Sequence, residues 1–342
     1  MISDVRRLLA VTLTLLLTAI SGSWASDEST ALINRDVPIS RAGTLSHTEA
    51  TREDGTFRFL DGRLDYPSTW LVAQHPGVPD PVAAAADPEV QDLSYLSREL
   101  INPVTSLWSL TFQSNNFRLE NDKWVYNLLF QPVLPVGITK NVSLITRPVL
   151  SLYNSVPVPT APGEFEQTTG FGDMILLELF ALENTGNWIV GVGPTFIVPT
   201  ASKTATGQGK WQAGPALGLG YITQKWLLGV FPQQWWSFAG DSDRPETSQM
   251  NLQPFAALFF GQGWNIAYSG NILANWKAPS SERWTVPVGL GVGKVMRVGI
   301  LPIRIQLAVQ YMPVRPSEFG QEWNFQIQLT PVIPRLIKGT LF

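Results

Sequence analysis

The sequence predicts an all-β fold, a transmembrane antiparallel up-and-down β-barrel of about 12 strands with an N-terminal arm and a short helix. Over 209–238, apolar residues alternate with small or polar ones, which is the two-residue period of a β-strand with two different faces. The alternating stretches are about 11 residues long, the length that a tilted strand needs to cross a bilayer. They carry Trp at their ends, where membrane barrels place aromatic residues.

The composition agrees with a membrane barrel and excludes several other classes. Only 15% of the 342 residues are charged, against about 25% in a typical soluble domain. No stretch after residue 25 has the roughly 18 consecutive apolar residues of a transmembrane helix. The chain has no Cys, which excludes disulfides, thiol catalysis and thiolate metal sites. Its formal net charge of −3 gives no sign of a nucleic-acid partner.

Residues 1–25 have the pattern of a secretory signal peptide. Arg6 and Arg7 precede an apolar stretch over 8–20, and 23–25 form a small-x-small cleavage site. A transmembrane anchor is disfavoured because the apolar stretch is too short. We therefore expect an exported mature chain.

Residues 26–97 read as a mostly irregular periplasmic arm, rich in Pro and charged residues. A short helix is expected near 88–100, because Asp87 suits the N-cap and Pro88 the first helical position. Asn102 before Pro103 ends it. The helix is expected to plug the barrel mouth or to rest on its rim, and a loosely packed linker helix remains the alternative.

Residues 98–342 form the expected barrel. The alternation predicts strands at 104–113, 124–134, 142–153, 171–181, 188–198, 211–222, 226–238, 250–260, 264–275, 284–296, 303–312 and 322–332. Connections after odd-numbered strands are mostly long, as at 154–170, and those after even-numbered strands are short, as at 223–225. In bacterial barrels the short turns face the periplasm. This predicts a Gram-negative outer-membrane protein with both termini in the periplasm.

Several motifs add a family resemblance. In order, they are the stretch at 97–116, GFGD at 170–173, GVGP at 191–194, GKWQAGP at 209–215, WSFAG at 236–240, QPF at 253–255 and WTVPVGLGVGK at 284–294. This series resembles the bacterial outer-membrane family labelled "neuromedin U", which is related to outer-membrane proteins of the phenol meta-pathway degradation type. The resemblance implies an outer-membrane barrel with a transport role, and solutes that are small and aromatic or hydrophobic. Phe342 matches the aromatic end of many such proteins but falls out of phase with 323–329.

The sequence gives little support for a catalytic or metal-binding site. The two histidines, His47 and His75, lie in the arm, so a Ser-His site inside the barrel is impossible, and we expect no enzyme. Asp241, Asp243 and Glu246 share one long loop, where they suit a cation, an acid/base pair or, as we prefer, a solvated surface. We predict no cofactor and no metal. The expected partners are outer-membrane lipid, the barrel-assembly machinery and a small solute.

The remaining residues of interest belong to the barrel wall. Gly289, Gly291 and Gly293 have a superficial phosphate-loop spacing, but no helix follows, and small lumen-lining residues explain them better. Trp at strand ends suits an interfacial girdle better than sugar stacking. The girdle is predicted to contain Trp124, Trp188, Trp211, Trp226, Trp236, Trp264, Trp276, Trp284 and Trp323.

Strand parity predicts which side chains face the lumen. The candidates for a lumen or constriction site are Arg147, Glu178, Gln212, Asn271, Arg304, Gln306 and Gln326. Leu217, Ile266 and Ile305 are expected to touch lipid. Arg147 and Glu178 are predicted to form an ion pair, either as part of a packed interior or as a charge-selecting constriction. A channel is the preferred function, and a closed structural or partner-binding barrel is the alternative.

Overall fold

The structure is a computed structural model, and it describes residues 88–161, 163–268, 270–299, 301–317, 319–334, 337 and 340–341. The expected signal peptide, the arm before residue 88, and Phe342 lie outside these residues. Helix α1 spans Pro88–Glu99, where the short helix was expected. No helix in the described ranges has the length and apolarity needed to cross a bilayer.

The strands form one closed antiparallel barrel. Their bounds are β1 Trp108–Leu119, β2 Trp124–Thr139, β3 Val142–Ala161, β4 Glu164–Gly170, β5 Met174–Leu182, β6 Trp188–Val198, β7 Lys210–Ile222, β8 Trp226–Gly240, β9 Ser248–Gly261, β10 Trp264–Tyr268, β11 Ile272–Asn275, β12 Trp284–Val298, β13 Leu301–Val314 and β14 Gln321–Ile333. These 14 segments make twelve barrel strands, because β4 and β5 follow each other along β3, and β10 and β11 follow each other between β9 and β12.

Closure leaves no free edge in the sheet. β1 pairs with β2 on one side and with β14 on the other, from Trp108 opposite Ile333 to Leu119 opposite Gln321. β12 pairs with β13, so the ring is complete. A closed ring satisfies the backbone between strands, as a membrane-spanning barrel requires.

The expected strand bounds differ from the structure most clearly at two places. The first strand begins at Trp108 rather than at 104, because Asn102 and Thr105 accept hydrogen bonds from nearby backbone N–H groups and hold 102–107 in turns. The region 154–170, expected to be a loop, is mostly β-structure, since β3 runs to Ala161 and β4 pairs back along it. This β3–β4 hairpin contains Pro157 and Pro159 within its paired residues.

The two ends of the barrel differ in their connections. Turns at one end are short, such as 140–141, 223–225 and 262–263, whereas connections at the other end include 199–209 and 276–283. We call these the short-turn end and the long-loop end. The first connection, expected to be long, has only residues 120–123. Gly263 shows how tight the short turns are, because its φ is 78° and an added Cβ would lie 2.5 Å from the Val295 carbonyl oxygen.

The outer surface carries an apolar band between aromatic residues. Exposed apolar side chains at mid-strand include Leu217, Leu228, Ile266, Leu290 and Leu307, and Ile305 shares the face of Leu307. Trp188, Tyr221 and Trp226 form a ladder at the short-turn end, with ring centroids 5.1 and 5.5 Å apart. Trp276 and Trp284 pack edge to face at the long-loop end. Trp124, Trp211, Trp236, Trp264 and Trp323 also lie near strand ends. This distribution is typical of a barrel in a bilayer.

Candidate functional site in the barrel lumen

The lumen has one polar side. β13, β14, β1 and β2 are neighbours, and their inward side chains are mainly amides and hydroxyls. The buried polar residues on these strands are Ser109, Thr111, Asn115, Gln131, Arg304, Gln306, Gln310, Asn324, Gln326 and Thr330. The inward Arg147 on β3 extends this side by one strand. Together these groups give five neighbouring strands a hydrophilic inner wall.

The opposite side of the lumen is apolar. Its buried side chains form one cluster on β5 to β9 with neighbouring positions on β3 and β10. The members are Ile145, Leu177, Leu179, Ala181, Ile189, Ala216, Leu227, Phe231, Phe255, Ala257 and Ala267. Leu179 is 0% exposed although it faces the inside of the barrel. The lumen therefore has a polar half and an apolar half, and the apolar half covers the short-turn part of its strands. Nearer the long-loop end, the same strands carry the buried polar residues Thr195, Gln212 and Gln233.

Hydrogen-bonded amides run along the polar half. Arg147 Nη2 donates to Gln131 Oε1 at 2.5 Å, and Gln131 Nε2 donates to Gln113 Oε1 at 3.1 Å. Arg304 Nη1 donates to Gln328 Oε1 at 3.0 Å, and its Nη2 donates to Gln306. Gln113 and Gln328 are direct cross-strand partners, so the two chains meet. We call Gln131, Gln113, Gln328 and Gln306 the amide arc, and a guanidinium adjoins it on each side.

Neither guanidinium has a carboxylate partner among the residues that the structure describes. The ion pairs found there involve Arg118, Lys277 and Arg315 instead. The Nε atoms of Arg147 and Arg304 are buried without a hydrogen-bond acceptor, and Arg304 as a whole is 4% exposed. Since unpaired buried charge is costly, the polar half of the lumen favours an anion.

The short-turn end of the lumen is filled by residues 88–107, which we call the plug segment. Ser97 Oγ accepts a hydrogen bond of 3.0 Å from Asn265 Nδ2, and both residues are buried. Leu96 is 2% exposed. Ile101 and Val104 pack against the apolar cluster. Helix α1 thus lies inside the mouth, which decides between the arrangements expected from the sequence.

The wall that helix α1 contacts includes small inward-facing residues. Helix α1 contacts β9, β10 and β12, where Ala257, Ala267 and Gly293 face inward. Farther round the barrel, a Cβ on Gly191 would lie 3.1 Å from Val104 Cγ1 and 2.8 Å from Leu179 Cδ2. The glycines on these inner faces therefore leave room for the plug and its neighbours, which explains their spacing better than phosphate binding.

Charge on the plug segment is partly compensated within it. Thr105 Oγ1 donates to Glu99 at 3.0 Å. Burial lowers the pKa of the Arg98 guanidinium, and the charge of Glu99 opposes that effect. The plug is therefore a structured element with its own polar contacts.

The long-loop end is narrowed by residues 199–209, which we call the mouth loop. Asp173 accepts hydrogen bonds from the backbone N–H groups of Ala201 and Gln208, at 3.2 and 2.6 Å. Arg244 donates to the carbonyl oxygen of Thr204 at 2.8 Å. Asn154 Nδ2 donates to the carbonyl oxygen of Thr206, which is 5% exposed. These contacts fix the loop against the inside of β3.

Most predicted lumen residues lie on the inner wall. Gln212 is 0% exposed, Gln306 is 3% exposed and Gln326 is 8% exposed. Arg147 and Arg304 also point inward, into the polar half. Whether these residues act on a solute remains a prediction.

Asn271 does not face the lumen. It is exposed and has the parity of Leu273, which is 38% exposed on the outer face. The strand is interrupted between β10 and β11, and this interruption reverses the alternation that holds in β10. The prediction continued the inward and outward alternation of β10 into β11 without interruption, because the sequence pattern did not reveal the break between them.

The predicted ion pair between Arg147 and Glu178 is wrong. The register sets Arg147 opposite Leu177 and Thr146 opposite Glu178, so the two charged side chains lie on opposite faces of the wall. Thr146 Oγ1 donates to Glu178 at 2.7 Å on the outer face. The polar-inward rule failed here because this part of the lumen is apolar and packs against the plug segment.

Sequence reasoning also left several members of the polar half out of the candidate site, among them Gln113, Asn115, Gln131 and Gln328. Gln113 and Asn115 were not assigned because the first strand was placed too early. The alternation over Thr111, Gln113 and Asn115 against Phe112 would have located them. The acidic group at Asp241, Asp243 and Glu246 lies in a surface loop, where Glu246 pairs with Lys277. Within the described ranges, no group of three or more His, Cys, Asp or Glu side chains could hold a metal ion.

Comparisons with known proteins agree with this architecture. The model of the family described as "Putative MetA-pathway of phenol degradation" matches residues 104–293. No curated protein matches the chain.

Three solved outer-membrane structures are similar to this chain. An outer membrane channel from Pseudomonas putida F1 is 14% identical, with a TM-score of 0.50, over 68% of this chain and 97% of that one. The NanC porin is 8% identical, with a TM-score of 0.43, over 66% and 99%. A Salmonella typhi outer membrane phospholipase dimer with bound calcium is 13% identical, with a TM-score of 0.37, over 72% and 98%. The first of these similarities shows a shared barrel fold.

Proposed function

This chain belongs to the phenol-degradation MetA-pathway family, and on that premise we propose that it is a channel for small solutes in the bacterial outer membrane. The observation that carries the proposal is the amide arc inside the barrel. A barrel with a purely structural role can fill its interior with apolar side chains, whereas inward amides and guanidiniums suit a water-lined path. The family description favours solutes that are aromatic or hydrophobic.

The location follows from several features taken together. The apolar band and its Trp residues suit a bilayer, and the unequal connections suit a barrel with both termini in the periplasm. Export by a cleaved signal peptide at 1–25 and folding by the barrel-assembly machinery complete this proposal. The short-turn end, with the plug segment, then faces the periplasm.

The plug segment is proposed to control passage. Leu96, Ser97 and Val104 fill the short-turn end, so solutes cross only when this segment moves. The apolar contacts of the plug segment oppose its movement out of the barrel. The small residues on the wall that it contacts leave few large side chains to hold it there. The lumen is thereby a gated rather than a permanently open path.

Conductance in planar bilayers tests the proposal. The mature chain is compared with a variant lacking residues 26–97, which removes helix α1 except Arg98 and Glu99, and with it Leu96 and Ser97. The variant is expected to show larger and more frequent openings. The proposal fails if both proteins, folded as judged by their heat-dependent gel mobility, give no conductance above that of lipid alone.

A closed structural or partner-binding barrel is the second candidate. It is favoured by the buried packing of Leu96, Ile101 and Val104, which closes the short-turn end in this structure. It predicts no conductance even after removal of the helix. Catalysis is not proposed, because both histidines precede the barrel and the barrel therefore has no histidine general base.

A further inference from the structure

We propose that the lumen binds amphipathic carboxylates, with the carboxylate at the guanidiniums of Arg147 and Arg304 and the apolar body against the apolar half. This inference rests on the proposed channel function, since it names the class of solute that the channel selects. It is carried by two features of the lumen, its unpaired positive charge and its division into two chemically different halves.

The two lumen guanidiniums have no counter-ion in the part of the chain that the structure describes. Among the residues that the structure describes, Arg147 and Arg304 donate hydrogen bonds only to neutral amide oxygens, and each keeps an Nε–H group buried without an acceptor. Glu178, the carboxylate nearest to Arg147 in the register, points to the other face of the wall. A lumen that holds two guanidiniums in this state is stabilised when an anion enters.

The remaining amides reinforce the positive potential. Along the amide arc, Gln131 donates to Gln113, and Gln113 donates to Asn115 Oδ1 at 3.1 Å. Asn115 Oδ1 also accepts from Gln326 Nε2 at 3.0 Å. The oxygens of Gln131, Gln113 and Asn115 thus already accept hydrogen bonds from the wall, which favours donor contacts to a solute at these positions. Guanidinium donors are suited to carboxylate oxygens, with which they form short, charge-assisted hydrogen bonds.

The apolar half sets the shape of the rest of the ligand. Arg147 is the cross-strand partner of Leu177, whose side chain belongs to the apolar cluster. The same cluster contains Phe231 and Phe255. A molecule that places its carboxylate at Arg147 therefore has apolar side chains beside it, and a planar aromatic or alkyl body is favoured over a sugar or a small inorganic ion.

Binding to the purified full-length protein in detergent tests this inference without requiring transport. The probes are benzoate, benzamide, which has the same ring without the charge, and acetate, which has the charge without the ring. At constant ionic strength, calorimetry is expected to show benzoate binding at least about tenfold more tightly than either of the others. Equal affinities for benzoate and benzamide would overturn the proposal.

Variants then locate the site. Arg147→Gln and Arg304→Gln are each expected to reduce benzoate affinity to the level of benzamide. Arg118→Gln is the matched control, because Arg118 pairs with Asp122 and Glu322 next to the first loop rather than facing the lumen site. Unchanged benzoate affinity in both lumen variants contradicts the assignment. If one variant does not fold, the other and the wild-type comparison of the three probes still decide.

Conductance separates this inference from the proposed function. Benzoate binding that depends on Arg147, in a protein that never conducts, would retain the site and reject the channel. Conductance that benzoate neither blocks nor uses, with no selective binding, would retain the channel and reject the carboxylate site.

Discussion

Glu178 places a carboxylate on the outer face of the barrel wall, where Thr146 is its hydrogen-bond partner. Phe180, on the same face of β5, is 45% exposed. In a bilayer such a carboxylate faces hydrocarbon, which costs free energy. At the scale of single residues this is the position where the wall departs most clearly from an apolar outer surface.

Replacement of Glu178 by Leu is therefore expected to stabilise the barrel in lipid vesicles by about 1 kcal/mol. The gain is the removal of a carboxylate from hydrocarbon, reduced by the loss of the Thr146 hydrogen bond. Urea unfolding midpoints measure it, with Glu183→Leu at the short-turn end as the control. A lower midpoint for Glu178→Leu would show that the carboxylate contributes a contact that the outer face needs.

Gly191 is a second position where the size of one side chain matters, because it decides whether the plug segment has room in the barrel. Gly191→Val introduces methyl groups where Val104 Cγ1 and Leu179 Cδ2 already pack. Overpacking is expected to cost about 1–3 kcal/mol and to push the plug segment out. Single-channel recording should then show more openings than in the wild type. Val192→Leu, on the exposed face beside it, should leave both quantities unchanged, and a Gly191→Val channel that opens no more often would contradict the plug contact.

At the scale of elements, the side chains of two residues hold the mouth loop in position by hydrogen bonds to its backbone. Asp173 accepts two of its backbone N–H groups, and Arg244 holds carbonyl oxygens from the other side. Lys203 lies exposed within this loop.

Asp173→Ala removes the hydrogen bonds that Asp173 accepts from the mouth loop. It should increase tryptic cleavage after Lys203 several-fold, because proteolysis follows local opening. Asp243→Ala in the neighbouring loop serves as the control. Equal cleavage rates in the two variants would mean that Asp173 does not restrain the mouth loop.

The free-energy cost of a charged residue on the outer face is expected to depend on its depth in the membrane. Leu217 lies in the middle of β7 and is 42% exposed, whereas Phe238 lies near the end of β8 and is 67% exposed. Leu217→Arg is expected to destabilise the barrel in vesicles by about 2–4 kcal/mol, and Phe238→Arg by about 0–1 kcal/mol. Urea unfolding provides the comparison. Equal costs would place the hydrocarbon band elsewhere on the wall.

The elements also show how far the sequence alone could lead. The strands from β6 to β9 and from β12 to β14 lie within a few residues of the expected ranges, because their alternation is regular and their turns are marked by Gly. The break between β10 and β11 and the inward Leu177 were not predictable from alternation. Both depend on the interior of the closed barrel, where the plug segment makes an apolar inner face favourable.

At the scale of the whole molecule, the closed ring of antiparallel strands determines the stability of the protein. Every barrel strand is paired on both sides, so unfolding must break the ring rather than peel off an edge. The mature protein is expected to migrate differently on a detergent gel before and after boiling. Recovery of the native chain from the soluble periplasmic fraction would contradict a membrane barrel.

The two halves of the lumen connect this architecture with function. The polar half carries two guanidiniums that have no carboxylate partner among the described residues, and the apolar half packs against the plug segment. In the proposed function, a solute crosses beside the polar half and an apolar solute also contacts the apolar half. In the proposed channel, the plug segment and a passing solute compete for the same space.

A reversible tether on the plug segment tests this account most directly. The chain has no Cys, so Ser97→Cys and Asn265→Cys can be joined specifically, by oxidation or by a short bis-thiosulfonate reagent. The tethered protein is predicted to stay closed in planar bilayers, and reduction is predicted to restore openings within the same membrane. Conductance that is identical before and after reduction, with the tether verified on a gel, would contradict the claim that this segment gates the lumen.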